Sequence, residues 1–196
     1  MFRIYSLIIG YFLGSISFAY LIGKSMNTDL RQKGSGNLGT TNTIRVLGKK
    51  AGAVNFILDV LKSAAAFYIC RALFGLETAG FYASAGAILG HDFPFYLKFR
   101  GGKGAAATIG LMLALWNTVT LITLAIGTAF GLSGYISLGS IAFAIAIPIT
   151  LWKRGYPAEI VALSGALSTL TLIRHRSNMK RLMAGNENKL FFKKKA

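Results

Sequence analysis

Three polar segments interrupt this apolar chain, and their residue types suit the binding of phosphate. The first reads Gly34-Ser35-Gly36-Asn37-Leu38-Gly39-Thr40-Thr41-Asn42 and is followed by Arg45. Its glycines let backbone amides approach an anion, its hydroxyl and amide side chains add donors, and the arginine supplies a bidentate fork. Because long connections are usually functional, we interpret the segment as an anion-binding loop rather than a flexible polar connection.

The second segment, Arg100-Gly101-Gly102-Lys103-Gly104, immediately precedes a short apolar stretch. Glycines ahead of a helix leave its first N–H groups and its positive dipole end open to an anion, and Lys103 adds a full charge. The spacing is not that of a Walker motif, so a plain turn with basic residues is the competing interpretation. The position of this segment directly before a short helix favours a phosphate site.

The third segment, Arg174-His175-Arg176-Ser177-Asn178-Met179-Lys180-Arg181, is interpreted in part as a basic flank that binds anionic lipid head groups. His175 and Asn178 are spaced i,i+3 and share a helix face, which a simple charge anchor does not need. Asp59 and Lys62 have the same spacing inside an apolar stretch, and we favour an internal ion pair there. His91-Asp92 before Pro94 predicts a helix end.

The composition excludes several classes of protein. Of 196 residues, 54% are hydrophobic and 14% charged, with long apolar runs, which indicates an integral membrane protein. One cysteine and two histidines exclude a disulfide scaffold and an ordinary zinc site, so no metal or other cofactor is expected. The net charge is +16, and the basic residues that produce it lie between the apolar segments. It therefore favours anionic lipid and phosphate-bearing substrates over nucleic acid.

The charge distribution predicts the number of membrane crossings. Stretches near the length of about 20 residues that a spanning helix needs are found at 4–23, 51–73, 78–97 and 156–173. The segment 24–50 carries six basic residues and the tail 174–196 carries eight, which places both in the cytoplasm. An odd number of crossings must then lie in the uncharged tract 104–151, and its breaks near 116–117 and 131–134 give three short helices.

The predicted fold is therefore an all-α integral membrane protein with seven transmembrane helices, some of them short. The N-terminus lies outside and the C-terminus in the cytoplasm. The first apolar run is read as a retained helix rather than a signal peptide, because no small-residue cleavage site closes it. We expect a single polytopic domain over residues 1–196.

Together the motifs resemble the acyl-phosphate:glycerol-3-phosphate acyltransferase family (PlsY), bacterial membrane enzymes of phospholipid synthesis. The resemblance covers nearly the whole chain and rests on six ordered motifs: Leu13-Gly14-Ser15-Ile16, the pattern over 34–45, Leu89-Gly90-His91 with Pro94, Gly101-Gly102-Lys103-Gly104, Ser137-Leu138-Gly139-Ser140-Ile141, and Arg174-His175-Arg176 with Asn178. It implies seven transmembrane helices and a site on the cytoplasmic side of the bacterial inner membrane. The implied reaction is attack by the 1-hydroxyl of sn-glycerol 3-phosphate on an acyl phosphate, giving lysophosphatidic acid and inorganic phosphate.

The resemblance also implies the site residues. The catalytic set is Ser35, Arg45, Lys103, His175 and Asn178. The substrate-binding set is Gly34, Gly36, Asn37, Gly39, Thr41, Asn42, Gly101, Gly102, Gly104, Ser137 and Ser140. The proton acceptor is left open between His175 and the phosphate of the substrate, with Ser35 as a covalent nucleophile less favoured because no acid–histidine relay stands beside it.

Three other functions compete. A transporter or scramblase for phosphate-bearing lipids or metabolites also uses broken helices that face an anion, but no inverted repeat is visible here. A glycerolipid acyltransferase with a His-x-x-x-x-Asp motif is excluded, because neither histidine has an aspartate five residues on. A purely structural membrane protein does not need a glycine-flanked lysine and arginine. Association with an enzyme that forms the acyl phosphate stays open.

Overall fold

A computed structural model of the chain describes residues 1–190, and the regular elements in that range are all helical. The tail lysines Lys193, Lys194 and Lys195, which entered the charge argument, lie outside the described residues. The chain divides into two compact units, Met1–Leu115 and the part from Trp116 onward. The expectation of a single domain stays a prediction.

The first unit holds six helices. These are α1 (Phe2–Ser15), α2 (Phe18–Ser25), α3 (Thr40–Leu47), α4 (Lys49–Phe74), α5 (Glu77–Asp92) and α6 (Ala105–Leu115). The described part of the second unit, up to residue 190, holds four, namely α7 (Thr118–Gly131), α8 (Ile136–Lys153), α9 (Ala158–Arg174) and α10 (Arg176–Met183).

Three helical stretches of the described chain are long and apolar enough to cross a membrane: Phe2–Ser25, Lys49–Phe74 and Ile136–Lys153. Two shorter apolar helices, α6 and α7, lie in the uncharged tract where short helices were predicted. The predicted all-helical class with helices apolar enough to span a membrane agrees with these elements. Seven crossings and the orientation of the termini stay predictions.

Two predicted boundaries were wrong. The helix expected over 4–23 is broken at Ile16–Ser17, because the Ser17 hydroxyl caps a new helix by accepting from the Tyr20 N–H at 3.4 Å. The helix expected over 78–97 ends at Asp92, as the histidine–aspartate pair before Pro94 predicted. Proline disfavours the helical conformation in the residue before it, and the chain continues as a short 3-10 helix over Phe95–Leu97.

Small residues allow α1 and α5 to pack backbone against backbone. A Cβ at Gly10 or Gly14 would overlap the backbone of α5 at Ala83 or Ala87, and a Cβ at Gly86 or Gly90 would overlap the backbone of α1. Each helix therefore presents glycines four residues apart to the other, the small-residue spacing that lets membrane helices approach closely.

In the second unit, side chains mark where the helices begin and meet. Asn117 caps α7 by accepting from the Val119 and Thr120 N–H groups at 2.9 and 3.3 Å, which explains the break in the apolar tract there. Ser168 on α9 donates to Ala144 O on α8 at 2.6 Å. After α10 the chain returns to the start of α8, where the Leu190 N–H donates to Gly134 O at 3.1 Å.

Candidate functional site

The segment predicted as an anion-binding loop is half loop and half helix. Ser35 lies in the exposed loop, whereas Thr41 and Arg45 lie one turn apart on α3, with Arg45 exposed. The loop predicted over 34–42 therefore ends at Gly39, because its last three residues belong to α3. Gly39 precedes the first turn of α3. A Cβ added at Gly39 would lie only 2.8 Å from the Asn37 side-chain nitrogen, so a larger residue would crowd Asn37.

Asn42 holds this loop in place. Its Oδ1 accepts from the Ser35 N–H at 2.8 Å, and its Nδ2 donates to Leu30 O and Lys33 O at 3.2 and 3.1 Å. The side chain is buried, and both of its amide protons are used within the chain. Asn42 thus holds the Ser35 backbone in place, and its assignment to substrate binding stays a prediction.

The glycines at 34 and 36 are required by the path of this loop. Both have left-handed backbones, with φ of 62° and 71°. A Cβ at Gly34 would in addition collide with the Asn42 Oδ1. Larger residues at these positions are therefore disfavoured by backbone strain and, at Gly34, by overlap.

In the second predicted segment, two of the loop amides are occupied by the protein itself. The Gly101 N–H donates to Asp92 O at 3.1 Å and the Gly102 N–H donates to His91 O at 2.9 Å. Gly104, with φ of 75°, turns the chain into α6, and Lys103 is half-buried. The expectation that these glycines offer free N–H groups was wrong for Gly101 and Gly102, because both cap the end of α5.

The ion pair predicted between Asp59 and Lys62 is present in the structure. Lys62 Nζ is 2.7 Å from Asp59 Oδ1, and both side chains are buried. The His91 ring joins them, with Nδ1 3.0 Å from Lys62 Nζ and 3.3 Å from Asp59 Oδ1. The internal ion pair is confirmed, and it includes a histidine that the sequence argument had placed only at a helix end.

Two of the predicted site residues of the second unit meet at a carboxylate. Glu187 Oε1 accepts from Asn178 Nδ2 at 2.7 Å and from Ser137 Oγ at 3.0 Å, and Oε2 accepts from Arg181 Nε at 2.7 Å. The structure thus brings together Ser137 and Asn178. Ser140 lies one turn further along α8 and donates to Ile136 O at 3.0 Å.

Glu187 was missed by the sequence argument. Burial alone would raise the pKa of this carboxyl, but hydrogen bonds from Asn178, Arg181 and Ser137 lower the pKa below its ordinary value of 4.5. Glu187 is one of only six acidic residues in the chain and lies within a strongly basic tail. That rarity was the signal that could have identified it.

His175 is buried, and its Nδ1 lies 2.8 Å from Thr171 O. A carbonyl oxygen can only accept, so Nδ1 carries a proton. In the neutral ring the lone pair is therefore on Nε2, which is the nitrogen that could accept a proton or hydrogen bond.

The described residues thus form an all-helical chain with spans apolar enough to cross a membrane and with cationic segments bordered by glycines. The family model for glycerol-3-phosphate acyltransferase matches residues 4–185. The chain therefore belongs to the glycerol-3-phosphate acyltransferase family, which confirms the resemblance drawn from the motifs.

Relatives and solved structures agree with this membership. The chain is 43% identical over 196 residues to the glycerol-3-phosphate acyltransferase of Endomicrobium trichonymphae, covering 98% of each chain. It is 42% identical to that of Halalkalibacterium halodurans, covering 96% of each. It is also similar to crystal structures of the integral membrane enzyme PlsY. The glycerol 3-phosphate form matches with a TM-score of 0.89 at 35% identity, and the lysophosphatidic acid form with 0.85 at 34%; both matches cover 95% of this chain and 94% of the other.

Proposed function

We propose that this protein transfers a fatty acyl group from an acyl phosphate to the 1-hydroxyl of sn-glycerol 3-phosphate. The products are lysophosphatidic acid and inorganic phosphate, the first acylation step of phospholipid synthesis. The observation that carries the proposal is the match, over 95% of this chain, to one solved enzyme in both its glycerol 3-phosphate and its lysophosphatidic acid form. The second molecule is the first with one acyl chain added, so the two forms represent the acceptor and the product of one acyl transfer.

The choice of donor is supported by the distribution of charge. If the donor is an acyl phosphate, both substrates carry a phosphate group, which accounts for more than one cationic segment bordered by glycine. Residues 34–45 and 100–104 each combine glycines with a basic residue, and 174–181 adds further positive charge. Charge that develops on the leaving phosphate is stabilised by such preorganised cations.

The chemical step is a direct displacement at the acyl carbonyl carbon. The hydroxyl oxygen of glycerol 3-phosphate forms the new ester bond, and the bond from the carbonyl carbon to the phosphate oxygen breaks, with its electron pair leaving on that oxygen. The hydroxyl proton passes to the leaving phosphate, which is itself a base. The protein then contributes mainly by positioning and by charge stabilisation.

In the first unit, Arg45 and Lys103 bind phosphate and neutralise the charge on the leaving group. Ser35 and the loop amides around Gly36 hold the acyl phosphate, and the Asn42 hydrogen bond to the Ser35 N–H at 2.8 Å supports this role by fixing the loop. The exposure of Ser35 and Arg45 is consistent with their contact to a substrate.

In the second unit, Asn178 and Ser140 orient glycerol 3-phosphate. Asn178 donates one amide proton to Glu187, which fixes the direction of its Oδ1. Glu187 is therefore a positioning residue for Asn178 and, through the same oxygen, for Ser137.

The chain crosses the bacterial cytoplasmic membrane seven times, with an external N-terminus and the site on the cytoplasmic side, where basic segments also meet anionic lipid. Three helical stretches long enough to span and two shorter apolar helices support this topology. So does the concentration of lysine and arginine in 24–50 and 174–196. The orientation is tested with cysteines introduced at Lys33 and Ser177 and an impermeant thiol reagent. We expect both cysteines to be labelled only after the membrane is opened.

The transferase and transporter functions are separated by supplying the purified protein with labelled glycerol 3-phosphate in two forms. In detergent with palmitoyl phosphate, we expect labelled lysophosphatidic acid, and none when the acyl phosphate is omitted. In sealed vesicles without the acyl phosphate, we expect no uptake of label above protein-free vesicles. Uptake without product formation overturns the proposal in favour of transport.

A further inference from the structure

The buried cluster of Asp59, Lys62 and His91 places three ionisable side chains in the interior of the first unit. The Asp59 side chain is 1% exposed, that of Lys62 4% and that of His91 5%. Ionisable residues within an apolar spanning helix are retained only at a cost, and a buried ion pair is often no more stabilising than apolar residues of the same volume. The cluster therefore calls for a role other than stability.

Lys62 fixes the orientation of the His91 ring. Its Nζ lies 2.7 Å from Asp59 Oδ1, donates to Ile16 O at 2.9 Å and lies 3.0 Å from His91 Nδ1. These three partners match the three protons of an ammonium group. The same ring nitrogen lies 3.3 Å from Asp59 Oδ1, so both members of the ion pair contact Nδ1 and leave Nε2 facing away from them.

His91 in turn fixes Gly102 from two directions. Its backbone oxygen accepts from the Gly102 N–H at 2.9 Å. Its ring packs so closely on Gly102 that a Cβ there would collide with Nε2 and lie 2.7 Å from Cδ2 and Cε1. Gly102 directly precedes Lys103, so the ring contacts the loop at the residue next to the lysine.

We propose that Asp59 and Lys62, acting through His91 and Gly102, are positioning residues for Lys103. The proposal rests on the role given to Lys103 under the proposed function. The ion pair orients the imidazole, the imidazole holds the loop, and the loop places the ammonium group of Lys103 for the phosphate of the substrate. The contact from Lys62 to Ile16 also ties this arrangement to the break between α1 and α2.

The decisive variant replaces the ion pair by apolar residues of similar size, Asp59→Leu with Lys62→Met. A merely structural pair predicts a protein that folds and retains its activity. Our proposal predicts a protein that melts at or above the wild-type temperature in detergent, with kcat reduced about 100-fold, because displacements near 1 Å have effects of that size. A stable double variant with wild-type kcat overturns the proposal. Ser63→Ala is the matched control, since the buried Ser63 hydroxyl on the same helix makes no hydrogen bond among the described residues, and it should leave kcat unchanged.

If the double variant does not fold, two variants of His91 decide the matter. His91→Gln places an amide near the former Nε2 position against Gly102, whereas His91→Asn keeps a partner for Lys62 but leaves the loop unsupported. We expect the glutamine variant to recover more of kcat than the asparagine variant. Equal losses in two folded variants contradict the proposal.

A readout independent of catalysis separates this inference from the proposed function. Lys103→Cys, in a Cys70→Ala background, is labelled with a thiol reagent with and without Asp59→Leu/Lys62→Met, or with and without His91→Asn if that double variant does not fold. If the cluster holds the loop, we expect the labelling rate to differ between the proteins with and without the substitutions. This expectation holds even if the acyl donor of the wild-type protein is not an acyl phosphate. An unchanged rate overturns the positioning role, whereas a wild-type protein that makes no product overturns only the proposed function.

Discussion

At the scale of single residues, the hydrogen bond between His175 Nδ1 and Thr171 O leaves Nε2 as the only nitrogen that could accept a proton. The proposed reaction gives the proton to the leaving phosphate instead. We therefore expect His175→Ala to retain measurable turnover, with kcat lowered about tenfold, below the 10²–10⁴-fold typical of a lost general base. Phosphate release by the variant measures this, with its melting temperature as the check on folding. A loss of about 10²-fold or more in a folded protein contradicts this expectation and favours His175 as the base.

Arg45 is expected to be far less replaceable. Arg45→Ala removes a charge assigned to the leaving phosphate, and the loss of one such stabilising group lowers kcat on the order of 10²–10³-fold. The matched control is Arg31→Ala, an exposed arginine of the same segment that pairs with Asp29 at 2.8 Å. Initial rates of lysophosphatidic acid formation compare the two. Equal effects of both variants contradict a specific role for Arg45.

Glu187 predicts a pH dependence of stability. Because the pKa of this carboxyl is lowered in the folded protein, its contribution is present above the unfolded value near 4.5 and is lost as the pH falls through the lower folded value. Glu187→Gln replaces an acceptor for Arg181 by a donor, so we expect about 1–3 kcal/mol of destabilisation at neutral pH. Melting temperatures of both proteins between neutral pH and about pH 3 test this, since the difference should shrink toward acid. A constant difference is evidence against an ionised Glu187.

At the scale of helices, the close approach of α1 and α5 depends on glycine. Gly14→Ala adds a Cβ that would overlap the backbone of Ala87, and overpacking of this kind costs about 1–3 kcal/mol. Gly165→Ala on α9 is the control, because a Cβ there meets nothing within 4 Å. We expect a lowered melting temperature for the first variant and no loss for the second. Equal melting temperatures contradict the backbone contact.

The helices that could be predicted from sequence are those determined by local composition. The spanning stretch Lys49–Phe74 and the breaks near Asn117 follow from apolar runs and polar caps. Helix α3 could not be predicted in this way, because Thr40-Thr41-Asn42-Thr43 has low helix propensity and the helix depends on packing against α4, where a Cβ at Gly52 would collide with Ile44.

The same limit applies to the candidate site. The cationic and glycine-rich segments are visible in the sequence because their chemistry is contained in a few adjacent residues. The contact between Glu187 and Ser137 joins residues 50 positions apart, and the contact between Lys62 and His91 joins residues 29 apart. Neither pairing has a local pattern, so both required the folded chain.

At the scale of the whole molecule, the account depends on one chemical choice, the identity of the acyl donor. The chain has 22 basic and six acidic residues, and its cationic segments suit two substrates that each carry a phosphate. A thioester donor would release a thiol instead of phosphate. The cationic segments would then have no leaving phosphate to neutralise.

The most direct test supplies the purified protein with sn-glycerol 3-phosphate and either palmitoyl phosphate or palmitoyl-CoA. Lysophosphatidic acid and inorganic phosphate are measured together. We predict that both form in equal amounts with palmitoyl phosphate, only when glycerol 3-phosphate is present, and that palmitoyl-CoA gives no product. Lysophosphatidic acid formed from palmitoyl-CoA but not from palmitoyl phosphate would contradict the account.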